Sequence, residues 1–275
     1  MSTLYVVATP IGNLSDISQR ATEILSTVST VAAEDTRVSR KLLNHIGVSP
    51  QLESLHEHTS PERLQSLVEK LELGDMAVVS DAGTPGISDP GSSLVAAAVE
   101  AGHDVIPLPG PSAIVSALSI TGWSFDRFLF LGFLPRKKKD QLTTLNNAAH
   151  EPGPLVAYES PHRIKATLEN INQAFQDRQL VICRELTKFY EETFRGTAAQ
   201  AISHFDKQTK GEFVIVIQGA GKAVNIELSD DEISGVIKNL KENGLSGRML
   251  VERAVEITSA PKNRVYQLSL SKDLK

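Results

Sequence analysis

VVSDAGTPGISDPG, residues 78–91, carries an apolar strand straight into a loop crowded with structure breakers. Ala77, Val78 and Val79 have the composition of a buried strand, and residues 81–91 hold Gly83, Pro85, Gly86, Pro90 and Gly91, with Asp81, Thr84, Ser88 and Asp89 among them. A core strand needs no such ending. Glycine lets backbone approach a ligand without a Cβ in the way. Proline fixes the loop before binding, so less entropy is lost. In open α/β sheets, ligands sit just past the carboxyl ends of strands. The stretch therefore predicts an α/β sheet with a small-molecule site beyond strand 76–80.

Outward from this stretch, short apolar runs alternate with helical periods. Strands are expected at 4–8, 31–33, 76–80 and 105–108. Helices are expected over 17–28, 36–46, 61–73, 92–100 and 113–121, with Ser60-Pro61 supplying a cap and a first-turn proline. This alternation implies a mostly parallel sheet covered on both faces. Parallel strands share their carboxyl edge. The loops at 8–14 (ATPIGNL), 81–91 and 109–112 (PGPS) should therefore meet on that edge. A boundary is expected near 122–127, after which the second half repeats the alternation. Its strands are expected near 128–131, 155–158, 181–183 and 213–217, and its helices near 138–149, 164–175 and 198–205. The tail differs. Ser229 and Glu232 form a capping box, and two further helices follow Ser246 and the Ser259-Ala260-Pro261 break, in a helix-turn-helix outline. The expected domains are 1–122, 123–222 and 223–275.

The 275 residues suit two domains and a small third at ~100–200 residues each. A hydrophobic content of 41 % and a charged content of 22 % describe a soluble globular protein. A net charge of −5 excludes attraction of the whole surface to nucleic acid, but not a local basic patch. Cys183 is the only cysteine, which excludes an intrachain disulfide and fits a buried thiol in a reducing compartment. No apolar run approaches the ~20 residues that span a bilayer, and MSTLYVVATP lacks the features of a signal peptide. A cytoplasmic protein is expected.

Several charged clusters lie where strands end. Glu34, Asp35 and Arg37 follow the second strand, where they suit either catalysis or the dipole of a helix start. Tyr158-Glu159-Ser160-Pro161-His162-Arg163 and Arg184-Glu185-Leu186-Thr187-Lys188 stand at strand ends in the second half. The spacing of the seven histidines suits no metal; even His56-Glu57-His58 reads as an exposed pair. Arg136, Lys137, Lys138 and Lys139 form a basic run suited to phosphate or to a solvated helix start. The first loop lacks the G-x-G-x-x-G spacing of a dinucleotide turn.

Taken in order, ATPIGNL, AAEDTR, SDAGTPGISDPG, PLPGPS, YESPHR and RELTKFYEE resemble the ribosomal RNA small-subunit methyltransferase I family. That family lies within the tetrapyrrole-methylase superfamily of class III S-adenosylmethionine methyltransferases. The resemblance implies two α/β domains with the cofactor cleft between them, a homodimer, and methylation of a cytidine ribose 2′-hydroxyl in small-subunit RNA, free or in the assembled particle. It implies that Pro10 and Gly12 line the cleft and that Gly83, Thr84, Pro85, Ile87 and Ser88 contact the methionine part and ribose of S-adenosylmethionine. Ser112 and Ala113 would close one side, and Tyr158, Glu159 and Leu186 would hold the adenine. The resemblance leaves the general base open. Asp35 is the first candidate, with Arg37 steadying the substrate and Glu159 and His162 as alternatives. Thr9-Pro10-Ile11-Gly12-Asn13 departs from the glycine-rich first loop of tetrapyrrole methylases, which disfavours a porphyrin acceptor. A small-molecule methyltransferase of the same fold remains the alternative, and a non-enzymatic nucleic-acid-binding regulator a second. Between 238 and 264 the tail carries six cations against three anions. Arg248, Lys262 and Arg264, with the 136–139 run, are the expected RNA contacts; a small packing bundle is the competing account of the tail.

Overall fold

The computed structural model describes residues 2–206, 210–221, 229–258 and 260–270. Residues 1–219 form one compact unit and 220–275 another. The chain opens with β1 (Thr3–Val7), α1 (Gln19–Thr27), β2 (Thr30–Ala33), α2 (Thr36–His45), β3 (Gln51–Ser54), α3 (Pro61–Glu72), β4 (Met76–Val79), α4 (Ser92–Glu100), β5 (Asp104–Leu108) and α5 (Ala113–Ser119). Its five strands pair in the order β3-β2-β4-β1-β5, all parallel. The apolar residues of β4 alternate between two cores. Ala77 and Val79 pack with Leu25 and Leu43, while Met76 and Val78 pack with Leu67, Leu71 and Leu94. Helices α1 and α2 cover one face and α3 and α4 the other, as a parallel sheet requires. Ser60 caps α3 by accepting the Arg63 N–H, with Pro61 in the first turn, as the sequence predicts.

The connection out of β1 leads to one side of the sheet, and the connection out of β4 crosses to the other side of β1. The crevice of an open α/β sheet lies at such a reversal. The ends of β1 and β5 are level (Val7 beside Leu108), as are those of β2 and β4 (Ala33 beside Val79). The breaker-rich loops therefore emerge on one edge, as expected.

The second half contains β6 (Leu129–Phe133), α6 (Lys138–Asn147), β7 (Leu155–Glu159), α7 (Ile164–Phe175), β8 (Gln179–Arg184), β9 (Glu192–Thr197), α8 (Ala198–His204) and β10 (Phe213–Ile217). Their order is β6-β7-β10-β8-β9. Here the structure corrects the simple repeat of the first half. β10 runs antiparallel to both β7 and β8, and β9 antiparallel to β8. The sequence did not predict β9, because this edge strand carries Glu192 and Arg195 and has no fully buried residue. β3, the edge of the first sheet, escaped for a similar reason. One face of the second sheet packs on α7 and α8 through Leu168, Ile171 and Ala201. The other receives Ile114, Ala117 and Leu118 of α5 against Val181, Cys183 and Val214. A helix from the first half thus completes the core of the second, and the division expected at 122 separates two sheets inside one compact unit.

The other unit contains α9 (Asp230–Glu242), α10 (Gly247–Thr258) and α11 (Lys262–Ser269). Ser229 and Glu232 form the predicted capping box. Ile233, Ile237, Leu250, Val251, Ala254 and Val265 make its core. The expected boundary at 222/223 and Ser259 of the expected break lie outside the described residues.

Ile215, at the centre of the second sheet, has no exposed surface. Ile215→Ala is expected to cost ~2–5 kcal/mol, lowering the urea midpoint. Leu73→Ala, at a side chain 89 % exposed, is expected to stay within ~0.5 kcal/mol.

Candidate functional site

Two backbone hydrogen bonds tie the loop after β1 to the loop after β4. Thr9 N–H donates to the Gly83 carbonyl at 2.8 Å, and Gly83 N–H donates back at 3.1 Å. The buried Thr9 hydroxyl also donates to the Ser80 carbonyl at 3.1 Å. Gly83 has φ +81°, a conformation that side-chain-bearing residues adopt at a cost. A second tie links the two halves. Asn13 N–H donates to Thr187 Oγ1 at 3.0 Å. At Gly12, a Cβ would fall 2.5 Å from Lys188 Cγ and 2.8 Å from Thr187 Oγ1, so only glycine allows the loops this close.

A cavity of about 390 Å³ opens beside these ties, within the range of small-molecule sites. Of the residues that the resemblance assigns to a cofactor, Gly83, Thr84, Ile87, Ser88, Ser112, Ala113, Tyr158, Glu159 and Leu186 line it. Three do not. Pro10 and Pro85 are buried in the bases of their loops, and Gly12 faces the 186–188 segment. Their place is to shape the wall rather than to form it.

Sequence reasoning left other wall residues unassigned: Ile11, Asp89, Phe133, Lys188, Glu212 and Val214 among them. Phe133 ends β6 and packs on Tyr158 with ring centroids 5.6 Å apart, and Phe130 meets the same tyrosine at 5.1 Å. Glu212 precedes a strand, where a parallel sheet would put it far from the site. Because β10 is antiparallel, Phe213 stands beside Glu159 and beside Arg184, so the start of β10 meets the ends of β7 and β8.

Burial pushes the Asp89 carboxyl up from its ordinary 3.8 to about 6, and the charges of Glu34, Asp81 and Glu212 add to the effect. Burial, then Asp81, likewise raises Glu34. Burial and the Asp89 charge push Tyr158 up to about 12, so its phenol stays protonated. Burial pulls the Lys188 ammonium down, but Glu185 at 2.9 Å and Glu212 at 2.8 Å more than offset this, so it stays charged. A protonatable carboxyl, a hydroxyl donor, an aromatic face and a pinned ammonium therefore surround one cavity.

The candidate bases are placed differently. Asp35 caps α2, accepting from Arg37 N–H at 2.8 Å, and pairs with the Arg37 guanidinium at 2.7 Å. That side-chain hydrogen bond holds its carboxyl down at about 2. Neither Asp35 nor Arg37 lines the cavity. They sit beside it, since Asp35 N–H donates to Asp81 Oδ1 at 3.0 Å. Glu159 is in the wall, but its carboxylate is committed. It accepts from Ser160 N–H at 2.7 Å and the Thr167 hydroxyl at 2.6 Å, and Arg163 lies 3.2 Å away. His162 is exposed outside the wall. Arg136, Lys137, Lys138 and Lys139 are exposed from three residues beyond Phe133 onward, with no carboxylate partner among the described residues. In the tail, Arg248 pairs with Glu252 at 2.7 Å, Lys262 reaches Glu252 at 4.0 Å, and Arg264 pairs with Asp230 at 2.7 Å. Among the described residues, no group of three or more His, Cys, Asp or Glu is placed to hold a metal ion, and no helix is long and apolar enough to cross a membrane.

Two outcomes are expected. Burial raises the Cys183 thiol to about 11, so a disulfide reagent should label it at a negligible rate in the native protein and fully after denaturation. For Asp89, the folded pKa exceeds the unfolded one. The folded state then binds more protons between about pH 4 and 6, and this group's contribution to stability falls as pH rises through that window. Asp89→Asn should therefore raise the thermal midpoint at about pH 7.5 and leave it unchanged near pH 3.5.

The model of the family described as Tetrapyrrole (Corrin/Porphyrin) Methylases matches residues 3–202. A protein of Synechocystis sp. called ribosomal RNA small subunit methyltransferase I is 45 % identical over 98 % of both chains. One from Haemophilus influenzae with the same name is 43 % identical over 98 % of this chain and 96 % of its own. The solved structure of the methyltransferase CobJ is 18 % identical, with a TM-score of 0.59 over 80 % of this chain and 95 % of its own, and shows the same fold. The chain belongs to the tetrapyrrole (corrin/porphyrin) methylase family, whose methyl donor is S-adenosyl-L-methionine, and groups there with the proteins called ribosomal RNA small subunit methyltransferase I.

Proposed function

We propose that this protein transfers a methyl group from S-adenosylmethionine to the ribose 2′-hydroxyl of a cytidine in small-subunit ribosomal RNA. The observation that carries this is the cavity at the sheet reversal, bounded by the 83–89 loop on one side and the end of β7 on the other. Its chemistry suits the donor. Glu212 offers negative charge to an ammonium group, Phe133 and Tyr158 offer ring faces to adenine, and Gly83 and Thr84 offer backbone polar groups. The names of the near-full-length relatives support small-subunit ribosomal RNA as the acceptor.

When bound, the cofactor supplies an electrophilic methyl carbon. The chain's own residues must hold an acceptor oxygen in line with it; positioning of this kind lowers a barrier by ~7–11 kcal/mol. They must also take the hydroxyl proton, a contribution of about 10²–10⁴-fold. Asp89 suits that step better than Asp35. Its carboxyl lies in the wall, and about 6 is close enough to neutrality for it to accept a proton and release it again. Asp35 is held at about 2 by Arg37, so it steadies the 34–37 turn and, through Asp81, the loop after β4.

The free cations of 136–139 suit RNA phosphate, which is bound through charge and without regard to sequence. In the tail, Arg248 and Lys262 border a cleft of about 640 Å³ with Tyr266, 54 % exposed. Their ion pairs are solvent-exposed and individually weak, so RNA phosphate can displace the carboxylates. A cytoplasmic homodimer acting on free RNA or on the assembled particle completes the proposal.

The test is transfer of labelled methyl to small subunits, to naked small-subunit RNA and to a tetrapyrrole, followed by mapping of the product. Label on a cytidine 2′-oxygen is expected; label only on the tetrapyrrole sinks the proposal. Asp89→Asn should lower turnover ~10²–10⁴-fold while cofactor affinity changes little, whereas Asp35→Asn should lose far less. Equal losses in the two variants would remove Asp89 from the role of base.

A further inference from the structure

The segment 185–191 leaves β8 beside the cavity, and Leu186 and Lys188 line it. It is held from several directions. Lys188 N–H donates to the Glu185 carbonyl at 2.9 Å, Thr187 N–H to Glu191 Oε2 at 3.1 Å, and Asn13 N–H to Thr187 Oγ1 at 3.0 Å. Glu191 N–H then closes a turn onto the Lys188 carbonyl at 3.1 Å. The two central residues of that turn are Phe189 and Tyr190. Such positions ordinarily carry glycine, proline, asparagine or aspartate, for reasons of backbone geometry. Here they carry two large rings, 93 % and 68 % exposed. The rings stand edge to face, 5.0 Å apart at 88°, which leaves flat surfaces of both open to solvent. The fold gains little from them. Backbone strain points the same way, since Glu185 and Thr187 hold φ +52° and +65° to set the turn in place.

We propose that Phe189 and Tyr190 form a stacking platform for an unpaired base of the RNA next to the nucleotide whose ribose enters the cavity. The inference rests on the function proposed above and adds the element that holds the substrate strand open. A base stacks on an aromatic ring through its flat face, whatever its identity. RNA offers such faces where its bases are splayed out of a helix. Lys188, the cation nearest the rings in sequence, is already neutralised by Glu185 and Glu212, so this end of the cavity is suited to stacking rather than to phosphate. The unpaired cations of 136–139, beyond Phe133, provide the phosphate contact. Rings together with free cations are the combination by which single strands are held. A second copy of the chain is a poorer occupant, because a stable dimer buries about 800 Å² on each partner and two side chains on one turn offer far less.

The test pairs binding with kinetics. A fluorescent single-stranded RNA oligonucleotide titrated into the full-length protein reads the platform by anisotropy, with or without methylation. The double variant Phe189→Ala/Tyr190→Ala should weaken this binding roughly 10- to 100-fold. It should also raise KM for small ribosomal subunits by a similar factor, while calorimetry with S-adenosylmethionine is unchanged. Phe189→Trp/Tyr190→Trp should keep wild-type binding. Unchanged RNA binding in the alanine variant overturns the platform. So does a loss that sedimentation traces to dissociation of a dimer, which would make these rings a subunit contact. A wild-type protein that binds the oligonucleotide through these rings but methylates no subunits would overturn the proposed function and leave the platform standing.

Discussion

The pair of backbone hydrogen bonds between Thr9 and Gly83 fixes the site. It lies where the connections from β1 and β4 diverge, the point at which a parallel sheet opens its crevice. The two strands are parallel neighbours paired as far as Val6 and Val78, but their connections lead away in opposite directions, so sheet pairing alone does not hold the loops together. The bridge does so, and the left-handed conformation of Gly83 lets the loop after β4 turn back to meet it. Asn13 then anchors the first loop to the second half of the molecule through Thr187. Three segments distant in sequence are thereby held in register to within hydrogen-bond tolerances. Preorganised walls of this kind limit the entropy lost on binding.

The cavity is also where the fold tolerates unfavourable features. Among the described non-glycine residues, positive φ occurs at Ser88, Gln176, Glu185 and Thr187. Ser88 is in the cavity wall, and the last two flank the wall residue Leu186. Asp89 keeps a carboxyl in partial burial with Glu34, Asp81 and Glu212 close enough to repel its charge. A protein selected for stability alone would not group them so. Such concentrations of strain and charge mark functional positions.

The tail illustrates the opposite balance. Its apolar residues meet in one small core, and several of its cations pair with neighbouring carboxylates. The excess of positive charge in the sequence is thus largely neutralised on the surface of the bundle. In the 136–139 run the cations keep no such partners. Folded neighbours leave the cations of one basic segment free and pair those of the other, whose exposed carboxylate partners a phosphate has to displace.

Local chemistry was legible in the sequence because it acts over a few residues. Strand 76–79, the caps at Ser60 and Ser229, and helix 164–175 follow from patterning and first-turn hydrogen bonds. So does the gathering of breaker-rich loops on one edge, since all strands of the first sheet point the same way. The antiparallel course of β10 was not legible, because FVIVI reads alike in either direction; its surroundings alone set its sense. That reversal brings Glu212 to the cavity. Tertiary structure likewise assigned the carboxylates their parts. Asp35, Asp89 and Glu159 look equivalent in sequence, but Arg37 pairs with the first, Ser160 and Thr167 satisfy the third, and partial burial among like charges leaves the second ready to take a proton. A side chain's acidity is set by what surrounds it in space, and the sequence lists only what adjoins it along the chain.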